Sequence, residues 1–400
     1  MKNNPISQYL VLTTVFLIPF YFFRFQILGI PTNVIEVAII VSAVSVAFRR
    51  PYRSFGWWPW TLSGVALIAA LIAPDTRVAL GVFKGWFFLP TLFAWTIIQI
   101  FDANSYHRLR ISLLASAAIV SLWAILQKFG FIGTLFYQVG DTSFSAYLSE
   151  GRAFGPFGSP NYLAMYLVPV LFLVLPLVWS KAKLWQRFLV ACGIGLILAA
   201  IACSLSRGGG VALLAGLLVL VAVKYLKLLK FKHLAAAALT LIIALNISYY
   251  ILAPRLQTNS GGDAIRQEIL GYSLRLVRQH PIWGTGLGNF QTKVREISAS
   301  NLPFQTYALP FALHPHNLLL AFYLNLGLAG LLVFLFIIYR MIKNLAHHPG
   351  AATLSAALVA ILVHGLFDTT YFKNDLSILF WLIFAIGLLT LRHSEPIRNT

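Results

Sequence analysis

Apolar residues in this chain run in long unbroken stretches, without the three-and-four or alternating spacing of a half-buried helix or strand. Stretches near the ~20 residues that a helix needs to cross a bilayer fall at 8–28, 32–48, 57–74, 84–101, 110–129, 161–179, 187–204, 208–225, 233–253, 316–340, 350–367 and 377–391. These twelve runs predict an all-α polytopic membrane protein of about twelve transmembrane helices. Continuous Leu, Ile and Ala suit helices, whereas the strands of a membrane barrel alternate over roughly 10 residues. The 57–101 region also allows one span plus a re-entrant piece. The first run is interrupted by Arg24, is too long for a cleavable signal and lacks a small-residue cleavage site after it, so it is read as a retained span.

Two segments break the series of short connectors, an outer loop at 130–160 and a long extracytoplasmic loop at 254–315 between the ninth and tenth runs. No soluble domain or repeat stands out, so residues 1–400 are read as one integral membrane domain. Within the second loop, Ile265, Ile269, Tyr272 and Leu276 recur at helical spacing, while Arg266, Glu268, Arg275 and Arg278 take other faces. Ala264–Gln279 is therefore expected to be an amphipathic helix at the outer membrane–water boundary.

Composition bounds the partners. The chain is 59% hydrophobic and 10% charged, with a mean hydropathy of +0.80, against about 25% charged in a soluble protein. Lys and Arg number 30 against 11 Asp and Glu, but no stretch is dense enough for a nucleic-acid arm, and no nucleic-acid partner is expected. Counted with the N-terminus inside, the inner segments hold 17 Lys and Arg and the short outer loops 7, which predicts both termini in the cytoplasm. Basic residues on the outer side then need another explanation. Cys192 and Cys203 both fall in one apolar run and form no disulfide framework or Cys-x-x-Cys pair.

Three outer arginines have unusual settings. Arg152 sits in a Gly- and Pro-rich approach that ends at Pro160-Asn161; Arg207 sits in Ser204-Leu-Ser-Arg-Gly-Gly-Gly210, a connector of almost no length; Arg266 begins the amphipathic helix. An arginine at a span end commonly snorkels to headgroups, but three together also suit an anion, since the guanidinium fork matches phosphate oxygens. His314-Pro-His316-Asn317 opens the tenth run and Asp368 closes the eleventh. The two histidines have no acidic or Cys partner nearby in sequence, so metal is not expected. His316 suits a proton acceptor better, because imidazole titrates near neutral pH. Gly284-Thr-Gly-Leu-Gly288 follows no strand of a βαβ unit and reads as a turn. Of the eleven acidic residues only Glu36 lies clearly inside a run, a poor inventory for the ion coupling of a transporter, which stays as the alternative from another class.

These residues resemble the O-antigen ligase and O-antigen polymerase superfamily. The ligase pattern, His with Asn, Ser or Gln, nine residues, Gly, two residues and a Gly-like residue, is matched by His316-Asn317 and Gly327-Leu-Ala-Gly330. Arg266, His280-Pro281 and Gly284-Thr-Gly-Leu-Gly-Asn-Phe290 match the upstream pattern, as do Ser206-Arg207-Gly208 and the run from Arg152 through Gly155 to Pro160-Asn161. The likeness covers roughly 150–391 and departs at Leu270, where many relatives carry Trp. It implies a bacterial inner-membrane glycosyltransferase with an extracytoplasmic, periplasmic-side active site. The donor would be a glycan on polyprenyl (undecaprenyl) diphosphate, and the acceptor a hydroxyl of lipid A core or another surface glycan. No cofactor or metal is implied. On that resemblance Arg207, Arg266 and His316 would be catalytic, and Arg152, Asn161, His314, Asn317 and Asp368 would line the substrate. A polymerase of the same superfamily would use the same residue chemistry; the His-Asn and Gly match favours the ligase.

Overall fold

The computed structural model describes residues 5–48, 52–133, 137–139, 142–144, 151–225, 261–299, 314–345, 348 and 351–392. It is helix-rich. In chain order the helices are α1 (Pro5–Leu17), α2 (Val34–Ala47), α3 (Trp60–Leu71), α4 (Thr76–Val82), α5 (Leu89–Ile100), α6 (His107–Lys128), α7 (Pro160–Val174), α8 (Leu184–Ser204) and α9 (Arg207–Tyr225). They continue with α10 (Gly261–Gln279), α11 (Phe290–Ala299), α12 (Leu318–Leu345), α13 (Ala352–His364) and α14 (Asn374–Arg392). A π-helical turn, Phe83–Phe88, joins α4 and α5 into one rod. Two short hairpins, β1 (Arg24–Ile27) with β2 (Ile30–Asn33) and β3 (Tyr137–Val139) with β4 (Thr142–Phe144), are antiparallel.

Six helical stretches are long and apolar enough to cross a membrane: Thr76–Ile100, His107–Lys128, Pro160–Trp179, Leu184–Ser204, Leu318–Leu345 and Asn374–Arg392. Five shorter apolar helices coincide with other predicted runs. The run at 233–253 lies outside the described residues. The expected first span, 8–28, needs correction, because the helix stops at Leu17 and a 3₁₀ turn, Ile18–Phe20, leads into the β1–β2 hairpin. Pro19 ends the ladder, and Leu28 and Gly29 both take positive φ, the conformation of a two-residue hairpin turn. Aromatic and β-branched residues after Phe20 prolong the apolar run, yet they suit a pleated strand as well. The 57–101 region forms two helices, separated where Asp75 accepts from Val78 N at 3.0 Å as the cap of α4.

Side-chain burial explains how the elements are ordered. Helix α14 is buried almost throughout, with Trp381 and Phe380 wholly enclosed, and it packs on α5 and α7. Around it α13 packs closely on α9 and α7, and α12 packs on α3. The amphipathic helix extends over Gly261–Gln279, and its apolar face is covered by protein: Ile269, Leu270, Tyr272 and Leu276 pack with Phe290 and Val294 of α11 and Leu320 and Leu324 of α12. Leu270, the departure from the family pattern, is thus a packing residue at 5% exposure.

Helix α12 kinks at Gly327, whose φ of 69° and ψ of −171° leave the helical region. The loop 280–289 docks into that kink. Thr285 N donates to Leu324 O at 2.7 Å, Leu328 N to Ile282 O at 2.9 Å, and Gly288 N to Asn325 Oδ1 at 3.0 Å. A Cβ on Gly284 would come within 2.5 Å of two α12 carbonyl oxygens, and one on Gly327 within 2.4 Å of Ile282 O. The turn expected at Gly284–Gly288 is present, and its glycines let two backbones touch.

Candidate functional site

The ends of α7, α8, α9, α12 and α13 bring together Arg152, Asn161, Ser206, His314, His316 and Asp368. Ser159 caps α7 by accepting from Tyr162 N at 3.3 Å, with Pro160 at the first helical position, which aims Asn161 and Tyr162 off the helix start. Helix α8 ends at Leu205 with φ of 49°, and α9 begins two residues later at Arg207. Gly208 and Gly209 allow this: a Cβ on Gly208 would meet His364 at 2.9 Å, and one on Gly209 would meet the Ala164 Cβ at 2.7 Å. Arg207 therefore opens α9 at an exposed rim, beside the buried Ser206.

Asn161 is the hub. Its Oδ1 accepts from Arg152 Nη2 at 3.2 Å and Ser206 Oγ at 3.0 Å, and its Nδ2 donates to Asp368 Oδ2 at 3.4 Å. Arg152 Nε also donates to Ser204 O at 2.9 Å, tying the 151–159 approach to the end of α8. Asn317, 1% exposed, donates to Leu366 O at 3.1 Å and accepts from Leu320 N at 2.9 Å, the geometry of a cap that joins α12 to the connector after α13.

His316 Nδ1 stands 3.3 Å from Asp368 Oδ1 and His314 Nδ1 stands 3.9 Å from it, so the structure supplies the acidic partner that the local sequence lacked. His316 adopts a φ of 48°, a left-handed conformation unusual for a residue with a Cβ. The two imidazole centroids are 4.4 Å apart, and the Tyr162 hydroxyl lies 2.7 Å from His314 Nε2. Arg266 on α10 is within electrostatic reach of His314 and Asp368.

Burial first, then His316, holds the His314 imidazole well below its usual range, so it is neutral at physiological pH, with Asp368 acting the other way. Burial alone would raise the Asp368 carboxyl, yet His316, His314 and Arg266 together keep it well below the ordinary carboxylate range, and it is ionised. Each of His314, His316 and Asp368 offers a ligand atom, all within 4.8 Å of one another, a donor set that a divalent cation uses. At His314 the charge of Asp368 favours a cation, while Lys373 and Arg266 oppose one.

Sequence reasoning missed Tyr162, which contacts His314, and Lys373, which lies over the Tyr162 ring. Tyr162 is a neighbour of Asn161 and looked like the start of a span. Lys373 is one of the seven basic residues of the short outer loops, and its place on the side that the positive-inside rule disfavours is the available signal.

Residues 192–335 match the family model described as O-Antigen ligase. No curated protein matches the chain. The matched segment contains Arg207, Arg266, the docking loop, His314, His316 and the kink glycine Gly327, whereas Arg152, Asn161, Tyr162 and Asp368 lie outside it and reach the site through the fold.

Proposed function

Because residues 192–335 support membership of the O-antigen ligase superfamily, we propose that this protein transfers a glycan from a polyprenyl (undecaprenyl) diphosphate carrier to an acceptor hydroxyl, lipid A core or another surface glycan, at the outer face of the bacterial inner membrane. The observation that carries the mechanism is the approach of His316 Nδ1 to the ionised Asp368, 3.3 Å away, with Arg266 in electrostatic reach. A carboxylate beside Nδ1 favours the tautomer that leaves Nε2 to accept a proton, and it stabilises the imidazolium that forms.

The acceptor oxygen then attacks the anomeric carbon as its proton passes to His316. The bond between that carbon and the diphosphate oxygen breaks, the electron pair leaves with the polyprenyl diphosphate, and one displacement inverts the configuration. Arg207 and Arg266 flank the departing diphosphate and stabilise the charge that develops on it. Arg152 and Asn317 serve the scaffold, through Ser204 and Asn161 and through the α12 cap respectively. Guanidinium charge does the work asked of a divalent cation in other phosphate chemistries, so the reaction needs no metal.

The test uses purified protein with EDTA, a polyprenyl-diphosphate glycan, and lipid A core or carrier-linked repeat units as separate acceptors. Product on lipid A core is expected. Growth of repeat units would make the enzyme a polymerase, and absence of transfer to either acceptor would sink the reading in favour of transport. His316→Ala is expected to lower kcat by roughly 10²–10⁴-fold, with Arg207→Ala and Arg266→Ala also abolishing transfer.

A further inference from the structure

Asp368 rides on a buried connector, residues 365–373, between α13 and α14. Its upstream end is tied to the base of α12, where Leu318 N donates to Gly365 O at 2.7 Å and Asn317 Nδ2 to Leu366 O at 3.1 Å. Its downstream end is Lys373. That ammonium lies 3.7 Å from the Tyr162 ring centroid, 4.5 Å from that of Tyr21 and 5.6 Å from that of Phe157, and it donates to the Tyr21 hydroxyl at 2.5 Å. A desolvated ammonium is unfavourable without such partners; an aromatic cage and a hydroxyl acceptor are the compensation that geometry allows.

The same Tyr162 ring carries the hydroxyl that is 2.7 Å from His314 Nε2, and His314 packs edge-on against His316 at 4.4 Å. One side chain of α7 thus touches both the cation that ends the Asp368 connector and the imidazole beside the base. We propose that Lys373, Tyr162 and His314 are positioning residues that hold Asp368 and His316 in register, Lys373 by pinning the connector in its aromatic cage and His314 by bracing the His316 ring. This rests on His316 being the base.

Burial pushes the Lys373 ammonium down from the usual lysine range while Asp375 opposes that shift, which fits a cation kept for its neighbours rather than one set in solvent. Tyr162 keeps its ring on the Lys373 cage in a Tyr162→Phe protein and loses only the contact to His314, so it separates the two halves of the device.

The experiment is steady-state transfer by full-length protein in nanodiscs, with thermal melting of each variant. Lys373→Met is expected to lower kcat by at least ~10-fold while the donor KM stays within about twofold, the signature of an interaction felt only in the reacting state. Lys373→Arg should recover most of the activity, because a guanidinium also sits over aromatic rings. Tyr162→Phe should lower kcat at parental melting temperature, which tests the His314 half alone; if Lys373→Met fails to fold, Tyr21→Phe, which removes only the hydroxyl that accepts from Lys373, tests the other half by the same drop in kcat. Parental kcat in both Lys373→Met and Tyr162→Phe would overturn the proposal, as would a raised donor KM with unchanged kcat, which would make Lys373 a donor contact. His316→Ala run in parallel separates the failures: if it stays active, the base assignment fails and this proposal with it; if it is dead while the other variants are parental, only the positioning role fails.

Discussion

At the scale of single residues, the site works by giving neighbouring groups different charge states. His314 and Asp368 stand 3.9 Å apart, one kept neutral and the other ionised. Both shifts are linked to stability. His314 is held below its ordinary range, so as pH falls below about 6.5 the unfolded chain takes up a proton that the folded chain refuses, and stability declines. Asp368 is also depressed in the folded state, so its contribution is present above about 3.9 and is lost only in stronger acid. Between pH 7 and pH 5 His314 is the one of the two that acts. The melting temperature is therefore expected to fall on acidification across that window, and less steeply in His314→Asn. The linkage has a ceiling of about 1.4 kcal/mol per pH unit. An equal slope in parent and variant would show that His314 takes up its proton alike in the folded and unfolded chain, against the burial argument. His316 adds backbone strain at φ of 48°, held in place by the α12 cap that follows it at Asn317.

Among the elements, the decisive joint is the one between the 280–289 loop and the kink of α12. Two motif glycines, Gly284 and Gly327, meet there backbone to backbone, and the loop supplies hydrogen bonds to Leu324 O and from Leu328 N where the kink interrupts the helical ladder. That docking sets the angle at which α10 carries Arg266 past the start of α12, since α10 packs on Leu320 and Leu324 just upstream of the kink. Gly327→Ala adds a Cβ within 2.4 Å of Ile282 O at a positive φ, and is expected to destabilise by about 2 kcal/mol or more. A melting curve and transfer assay on that variant are the check. Gly330→Ala, at a helical position where the added Cβ would strike the side chain of Leu326, tests a side-chain clash on its own. Parental stability in Gly327→Ala would refute the docking account. The motif spacing signalled that these glycines matter, but only their contacts show that they let two backbones meet.

For the whole molecule, the apolar residues divide into two populations. Helix α14 encloses Trp381, while α8 and α9 leave Phe188, Leu189, Leu214 and Leu218 exposed on the outside of the bundle. Exposed apolar side chains on α8 and α9 fit helices solvated by lipid, and the charge asymmetry of the loops predicts cytoplasmic ends. A fluorescent reporter fused after Thr400 should fold and glow, and an alkaline phosphatase fused at Ser206 should be active; the opposite pair would invert the topology. Apolar run length determined most of the helices by itself, because a helix in lipid needs little more than enough consecutive apolar residues. It failed at 18–33, where the same apolar residues form a 3₁₀ turn and a hairpin, since hydropathy does not distinguish pleated from helical backbone. Local spacing likewise revealed His316, Arg207 and Arg266 as candidates, each within its own short motif. Only the tertiary structure brought Asp368 to 3.3 Å from His316 and seated Lys373 on the ring of Tyr162. Those partners lie 52 residues or more away in sequence and belong to different helix ends, and it is the packing of α7, α12 and α13 around α14 that makes them neighbours.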